Sequence, residues 1–241
     1  MKLHKLCFGI ALVATIMAID ATCVAACTNA SVTGVWGFQI GTAVGQFTAD
    51  GKGDITAGSD TVNQNGTIIT QTFTGTYSVA ANCTGSLTLN ITGGGTATTN
   101  FVLDSANKGA QIIDTTAGSV AEGPGLAQGT VTCGLTGKKQ TFAALLLGKI
   151  NGGTTIAYVA QVVLDGKGNV SGSGTFNVGG TFLFTTISGT YTETSDCNGT
   201  IQMTPKGSNT LNFAFVVVNA GKELLLVDTD SNASVAGNML H

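Results

Sequence analysis

One stretch of this chain is written twice. Gly45–Cys83 reads GQFTADGKGDITAG…FTGTYSVAANC, and Ala160–Cys197 reads AQVVLDGKGNVSGSG…ISGTYTETSDC. A duplicated unit constrains a fold more than any composition does, because both copies must bury their apolar faces by the same solution. Tyr77 and Tyr191 lie 114 positions apart, as do Cys83 and Cys197, Phe101 and Phe215, Lys108 and Lys222, and Asp114 and Asp228. Upstream, Asp50 matches Asp165 at an offset of 115, which implies a one-residue slip in the loop between. Cys27 roughly matches Cys133. The chain therefore divides into a leader at 1–26 and two β repeats at 27–130 and 131–241, each on the order of 100 residues.

The leader is an address. Lys2 and Lys5 precede an apolar run, Leu6–Ile19, and Val24-Ala25-Ala26 supplies small residues for cleavage. The run is too short to span a bilayer and has the layout of a secretory signal peptide. Cys7 and Cys23 leave with it. Two readings stand: simple secretion to the periplasm or exterior, or a lipoprotein cut before Cys27 and acylated there, which alone would attach the protein to a membrane.

Four cysteines then remain, Cys27, Cys83, Cys133 and Cys197, and four cysteines allow three pairings. Each repeat owns two at matching places, which selects Cys27–Cys83 and Cys133–Cys197. Such bridges need an oxidising compartment. A metal site is a poor rival: no Cys-x-x-Cys pair remains after the leader, and the only histidine there is His241.

Strand signals run throughout. The first repeat reads as strands over 34–40, 45–49, 54–62, 67–79, 86–91, 98–103, 110–115 and 120–126. The second reads as strands over 142–147, 155–164, 169–177, 181–193, 200–203, 210–218, 223–228 and 234–239. Short links such as Asp50-Gly51-Lys52-Gly53 and Gln64-Asn65-Gly66 supply residues that tolerate positive φ, and they force an antiparallel meander. Alternation places Phe73, Gly75, Tyr77 and Val79 on the core side of one strand, and Phe101 and Leu103 on that of another. In the second repeat Phe213, Phe215 and Val217 point inward, yet the outward set, Ala214, Val216 and Val218, is apolar too. Leu224–Val227 and Leu145–Leu147 are unbroken apolar runs, the signature of strands covered on both faces. The second repeat is thus expected to pack its outer face on the first repeat or on another copy.

Eight meandering strands hide their edges by closing into a barrel or folding over as a sandwich. The expected fold is all-β: two tandem antiparallel meander repeats, each a small up-and-down barrel of about eight strands, with a sandwich or one larger co-folded sheet as alternatives. Mid-strand Gly75 and Gly189 suit the tight bends of a barrel.

Thr33-Gly34-Val35-Trp36 resembles the Gly-x-Trp opening strand of the calycin barrels, the avidins and lipocalins, and the glycine turn and Thr-Gly strand that follow resemble the avidin case. Phe142 stands near the tryptophan position in the second repeat. Trp36 is the only tryptophan, where avidins use several, and the arginine that packs on the lipocalin tryptophan is missing. The resemblance implies a barrel and not a particular ligand. The Asp-Gly-Lys-Gly…Gly-Thr-Tyr…Cys pattern also resembles a class of uncharacterised secreted bacterial proteins with no assigned activity.

Few motifs carry chemistry. Asp50–Asp54 and Asp165–Asn169 look like calcium loops, but Lys52 and Lys167 occupy a ligand position and no closing glutamate follows, so hairpin turns are expected. Gly93–Gly95 lacks the helix of a phosphate loop. Asp114 and Asp228 recur at strand ends, where such side chains usually bond a neighbouring loop. Tyr77 and Tyr191 read as core residues with a bonded hydroxyl. Without an internal histidine no nucleophile–base pair forms. Asp60, Asp104, Glu193 and Asp196 are the carboxylates that folding could pair. With lysine as the sole basic residue and a formal net charge of −3, the chain is not expected to bind nucleic acid. The expectation is a secreted or envelope module without enzymatic activity, cofactor or metal, acting structurally or by binding an unknown small ligand or surface partner. The alternative is a small-ligand carrier with a calycin-like pocket.

Overall fold

The computed structural model describes residues 26–129 and 133–241. The expected leader, apart from Ala26, and Thr130–Thr132 of the connection between repeats lie outside the described residues. Two closed eight-stranded barrels follow one another in the chain. The first comprises β1 (Gly34–Ile40), β2 (Ala43–Ala49), β3 (Asp54–Gln64), β4 (Thr67–Val79), β5 (Thr84–Ile91), β6 (Thr96–Leu103), β7 (Gly109–Asp114) and β8 (Glu122–Ala127). The second comprises β9 (Gln140–Ile150), β10 (Thr154–Leu164), β11 (Asn169–Val178), β12 (Thr181–Glu193), β13 (Asn198–Pro205), β14 (Leu211–Val218), β15 (Glu223–Asp228) and β16 (Ala233–Leu240). Within each barrel every strand pairs antiparallel with its chain neighbours. Closure comes from β1 on β8 and from β9 on β16, so neither barrel leaves an open edge and both alternatives, sandwich and shared sheet, fall away.

Alternation fills each interior. The first holds Trp36, Phe38, Phe47, Phe73, Tyr77, Leu87 and Phe101 among its buried side chains. The second holds Phe142, Leu146, Tyr158, Phe176, Ile201, Phe213 and Phe215. Gly75 and Gly189 sit where a Cβ would come within 2.2 Å of Thr88 O and 1.9 Å of Gln202 O, so no other residue fits those bends. Barrel equivalence also relocates the slip in the repeat. The extra residue of the first copy is not in a loop; it lies at Thr56–Ala57 inside β3, where the register with β2 and β4 shifts, while β11 pairs without a break. A bulge absorbs one residue without losing the inward alternation beyond it.

The two apolar runs behave differently. Leu224–Val227 is buried throughout, as a strand covered on both faces should be. Leu145–Leu147 is not: Leu146 is buried, but Leu145 and Leu147 are 45% and 54% exposed, because none of the described residues covers the outside of β9. Val120, expected in a strand, is fully exposed ahead of β8.

The outside of β14 and β15 lies against β1, β2 and β3 of the first barrel. Val44 of β2 joins Ala214, Val216, Val218, Leu225 and Val227 in one buried cluster, with Leu126 of β8 at its margin. Gly37 of β1 is needed there, since a Cβ would stand 2.4 Å from a Val218 methyl. At the edge of this contact Asn63, 2% exposed, donates through Nδ2 to the carbonyls of Asp228 and Ala233, both at 2.9 Å, and of Asp230 at 3.3 Å. Its Oδ1 accepts from Gly66 N at 2.8 Å, which fixes the amide in its own turn.

Candidate functional sites

The duplicated motif builds the floor of each barrel. In the first copy Asp50 Oδ1 accepts the backbone N–H groups of Lys52, Gly53 and Asp54 at 2.7–3.0 Å. In the second, Asp165 Oδ1 accepts from Lys167 and Asn169 while Oδ2 accepts from the Asn169 amide. These donors hold both carboxyls below the usual range, Asp165 at about 2 with the Asn169 side chain as the leading cause. The carboxylates are consumed by their own turns and present no ligand array for calcium. Among the described residues no three acidic, histidine or cysteine side chains gather as a metal site.

The turn in turn carries the tyrosine strand. Tyr77 N donates to Gly53 O and Tyr191 N to Gly168 O. The Tyr77 hydroxyl donates to Asn29 O and the Tyr191 hydroxyl to Leu135 O, each at 3.0 Å. Asn29 and Leu135 belong to the segments that precede β1 and β9 and cross the barrel floor. Cys27–Cys83 and Cys133–Cys197 pin those same segments. Each bridge therefore starts ahead of the first strand of its repeat rather than within it. The Cys27 sulfur is used in its bridge to Cys83. Turn, tyrosine and disulfide form one floor-closing device, and its chemistry is structural.

Each of the four carboxylates that folding could have paired takes its own hydrogen-bond partners. Asp104 accepts Ala106 N and Lys108 N in its own turn. Glu193 accepts Leu135 N and the Thr136 hydroxyl at the second floor. Asp196 accepts from the Asn198 amide and, across the barrel contact, from the Gln46 amide. Asp60 is inside the first barrel beside Gln71; burial raises it to about 6, against a weak hydrogen bond from the Gln71 amide.

At the opposite ends the two barrels differ. Asp114 and Asp228 are repeat equivalents at the ends of β7 and β15. Burial pushes Asp114 up, but the Ser119 hydroxyl and the Thr116 N–H and hydroxyl outweigh it, and the group lies below the usual range. In the second barrel Asp230 and Ala233 replace Thr116 and Ser119. Asp228 is fully buried, its Oδ2 has no hydrogen-bond partner, and desolvation lifts it to about 7; the N–H of Asp230 opposes this and the Asp230 charge adds to it. No motif marked this difference; lining up the two copies finds it.

The open end of the second barrel holds a cleft of about 400 Å³. Ile156, Phe176, Val178, Leu183 and Leu211 form its apolar wall, and Asn209, Asp230 and Asn232 stand at its rim. Below, Tyr158 stacks on Phe176 with ring centroids 4.0 Å apart, its hydroxyl buried without a partner. Burial raises that hydroxyl's pKa well above the ordinary phenol value, so it stays protonated. Trp36, the residue of the calycin-like opening, is packed in the first core, and its Nε1 donates to Val32 O at the first floor. No protein-family model, curated protein or solved structure matches the chain.

Proposed function

We propose that this protein is a non-enzymatic, disulfide-braced double-barrel module of an extracellular or envelope surface, acting through its outer faces. One observation carries the reading: the aspartates and tyrosines of the duplicated motif are spent on closing turns and barrel floors, while apolar side chains remain on the outside of strands. The two disulfides agree with an oxidising compartment. The calycin-like opening and the bacterial secreted two-repeat pattern are consistent with such a module without adding a ligand. The cleft at the end of the second barrel supports a second reading, a carrier for a small, mainly apolar molecule with one or two polar groups, since about 300 Å³ suffices for such a ligand. Native mass spectrometry of the exported protein separates the two. The module reading expects the bare sequence mass. A stoichiometric bound molecule, lost in Leu183→Arg at the cleft wall, would overturn it in favour of the carrier.

A further inference from the structure

The contact between the barrels uses one outer face of each: β1–β2, flanked by β3 and by Leu126 of β8, of the first docks on β14–β15 of the second. The duplication gives each barrel both faces, so one of each kind is left over. The strand register defines the equivalents. Trp36 pairs with Phe47, and Phe142 with Val162, so β1 corresponds to β9 and β2 to β10. Gly37, Val44 and Leu126 of the docking face become Ala143, Val159 and Leu240 of the second barrel. Val159 and Leu240 are 53% and 49% exposed, and Leu145 beside them is exposed too. The receiving residues Val216 and Val227 become Val102 and Ile113 of the first barrel, which are 52% and 54% exposed. These unused faces form two shallow open grooves.

We infer that copies of this chain associate head to tail, the β9–β10 face of one docking on the β6–β7 face of the next and repeating between molecules the contact made within each. The inference rests on the module reading and names its partner as a second copy. Three details fit. Asn177 is the equivalent of Asn63 and holds the same local geometry, its Oδ1 accepting from Gly180 N at 2.9 Å. Its Nδ2 is placed to meet the carbonyls of the turn after Asp114, as Asn63 meets those after Asp228. Val218 against Gly37 becomes Asp104 against Ala143, so the added methyl meets a smaller side chain, and Asp104 is turned into its own loop. The intramolecular contact leaves a crevice between Thr70 and Thr194, Asn198 and Gly199. In the contact between molecules Phe184, 73% exposed, takes the place of Thr70 against Ala80, Thr84 and Gly85. An unsatisfied aromatic would thus enter the gap. Asn100 and Gln111 replace Ala214 and Leu225, and no tether joins the partners, so the contact is weaker than its internal counterpart. A face that meets a different face does not close on itself; it produces rings or filaments.

The test is sedimentation of the exported full-length product over a concentration series, with Val159→Asp and Val102→Asp, each altering one exposed residue. The wild type is expected to form species larger than dimers. Either variant alone should weaken association by more than about tenfold, the factor that 1.4 kcal/mol gives. Mixed together, the two should form a dimer and stop, because only one intact pair of faces remains. A monomeric wild type at every concentration would overturn the inference while leaving the module reading in place. So would a dimer lost in Val159→Asp and untouched in Val102→Asp, which marks a two-fold contact through β9–β10. Near-ultraviolet circular dichroism confirms that both variants are folded.

Discussion

Val218→Asp puts into the second barrel the residue that the first carries at Asp104, and its cost follows from what surrounds each site. Val218 has no exposed surface and packs with Val44, Val216, Leu225 and Val227 between the barrels. Removing a buried valine forfeits roughly 1.5–3 kcal/mol of transfer free energy. The carboxylate that replaces it has no donor aimed at it, and an uncompensated buried charge is strongly destabilising, by about 3–5 kcal/mol. The two terms cannot simply add. If the barrels part, the carboxylate is wetted, so the loss is capped by the free energy of the contact itself. A loss of about 3–5 kcal/mol is expected, appearing in calorimetry as one barrel's transition separating from the other's, since neither interior is touched. Adding Val44→Asp on top should cost much less than Val44→Asp does alone, because the contact is already open. Val102→Asp, at the exposed equivalent of the neighbouring Val216, should stay within about 0.5 kcal/mol. Equal losses at 218 and 102, or fully additive losses at 218 and 44, would refute the reasoning.

Tyr191→Ala should cost about 3–5 kcal/mol and Tyr191→Phe about 0.5–1.5, the latter for the hydroxyl bond to Leu135 O, while the exposed Thr190→Ala stays near zero; denaturant midpoints report all three. Removing Cys27 and Cys83 together should cost about 2–4 kcal/mol by urea titration, largely through the freed unfolded chain, and should loosen the floor at Asn29 without altering the second barrel. Asp228, raised to about 7 when folded against 3.8 unfolded, binds its proton more tightly in the native state. Its contribution is therefore complete below pH 4 and is lost as pH rises through about 7. Asp228→Asn should raise the melting temperature at pH 8 by at least about 3 °C and change it far less at pH 4; an equal effect at both would show that Asp228 is not held neutral.

Much of this protein was legible along the chain because its signals are local. Alternation has a period of two whichever strand lies beside it, and Asn-Gly and Asp-Gly turns demand positive φ without reference to the rest of the molecule. All sixteen strands, the all-β class and the cysteine pairing could be read from those signals and from the duplication. The apolar outsides of Val216, Val218 and Leu225 were equally visible. Other features depend on what arrives from far away in sequence. Leu145–Leu147 and Leu224–Val227 read alike, yet among the described residues only the second has a neighbour laid over it, and no residue in either run encodes that difference. Asp114 and Asp228 are the same residue in the same copy position. The donors at Thr116 and Ser119, against Asp230 and a buried edge in the other barrel, set one below its ordinary range and the other near neutrality. The residue slip looked like a loop insertion because length alone cannot say whether a strand will bulge. Closure, the choice of outer faces that meet, and the burial of single polar atoms are sums over long-range contacts, and the tertiary structure alone decided them.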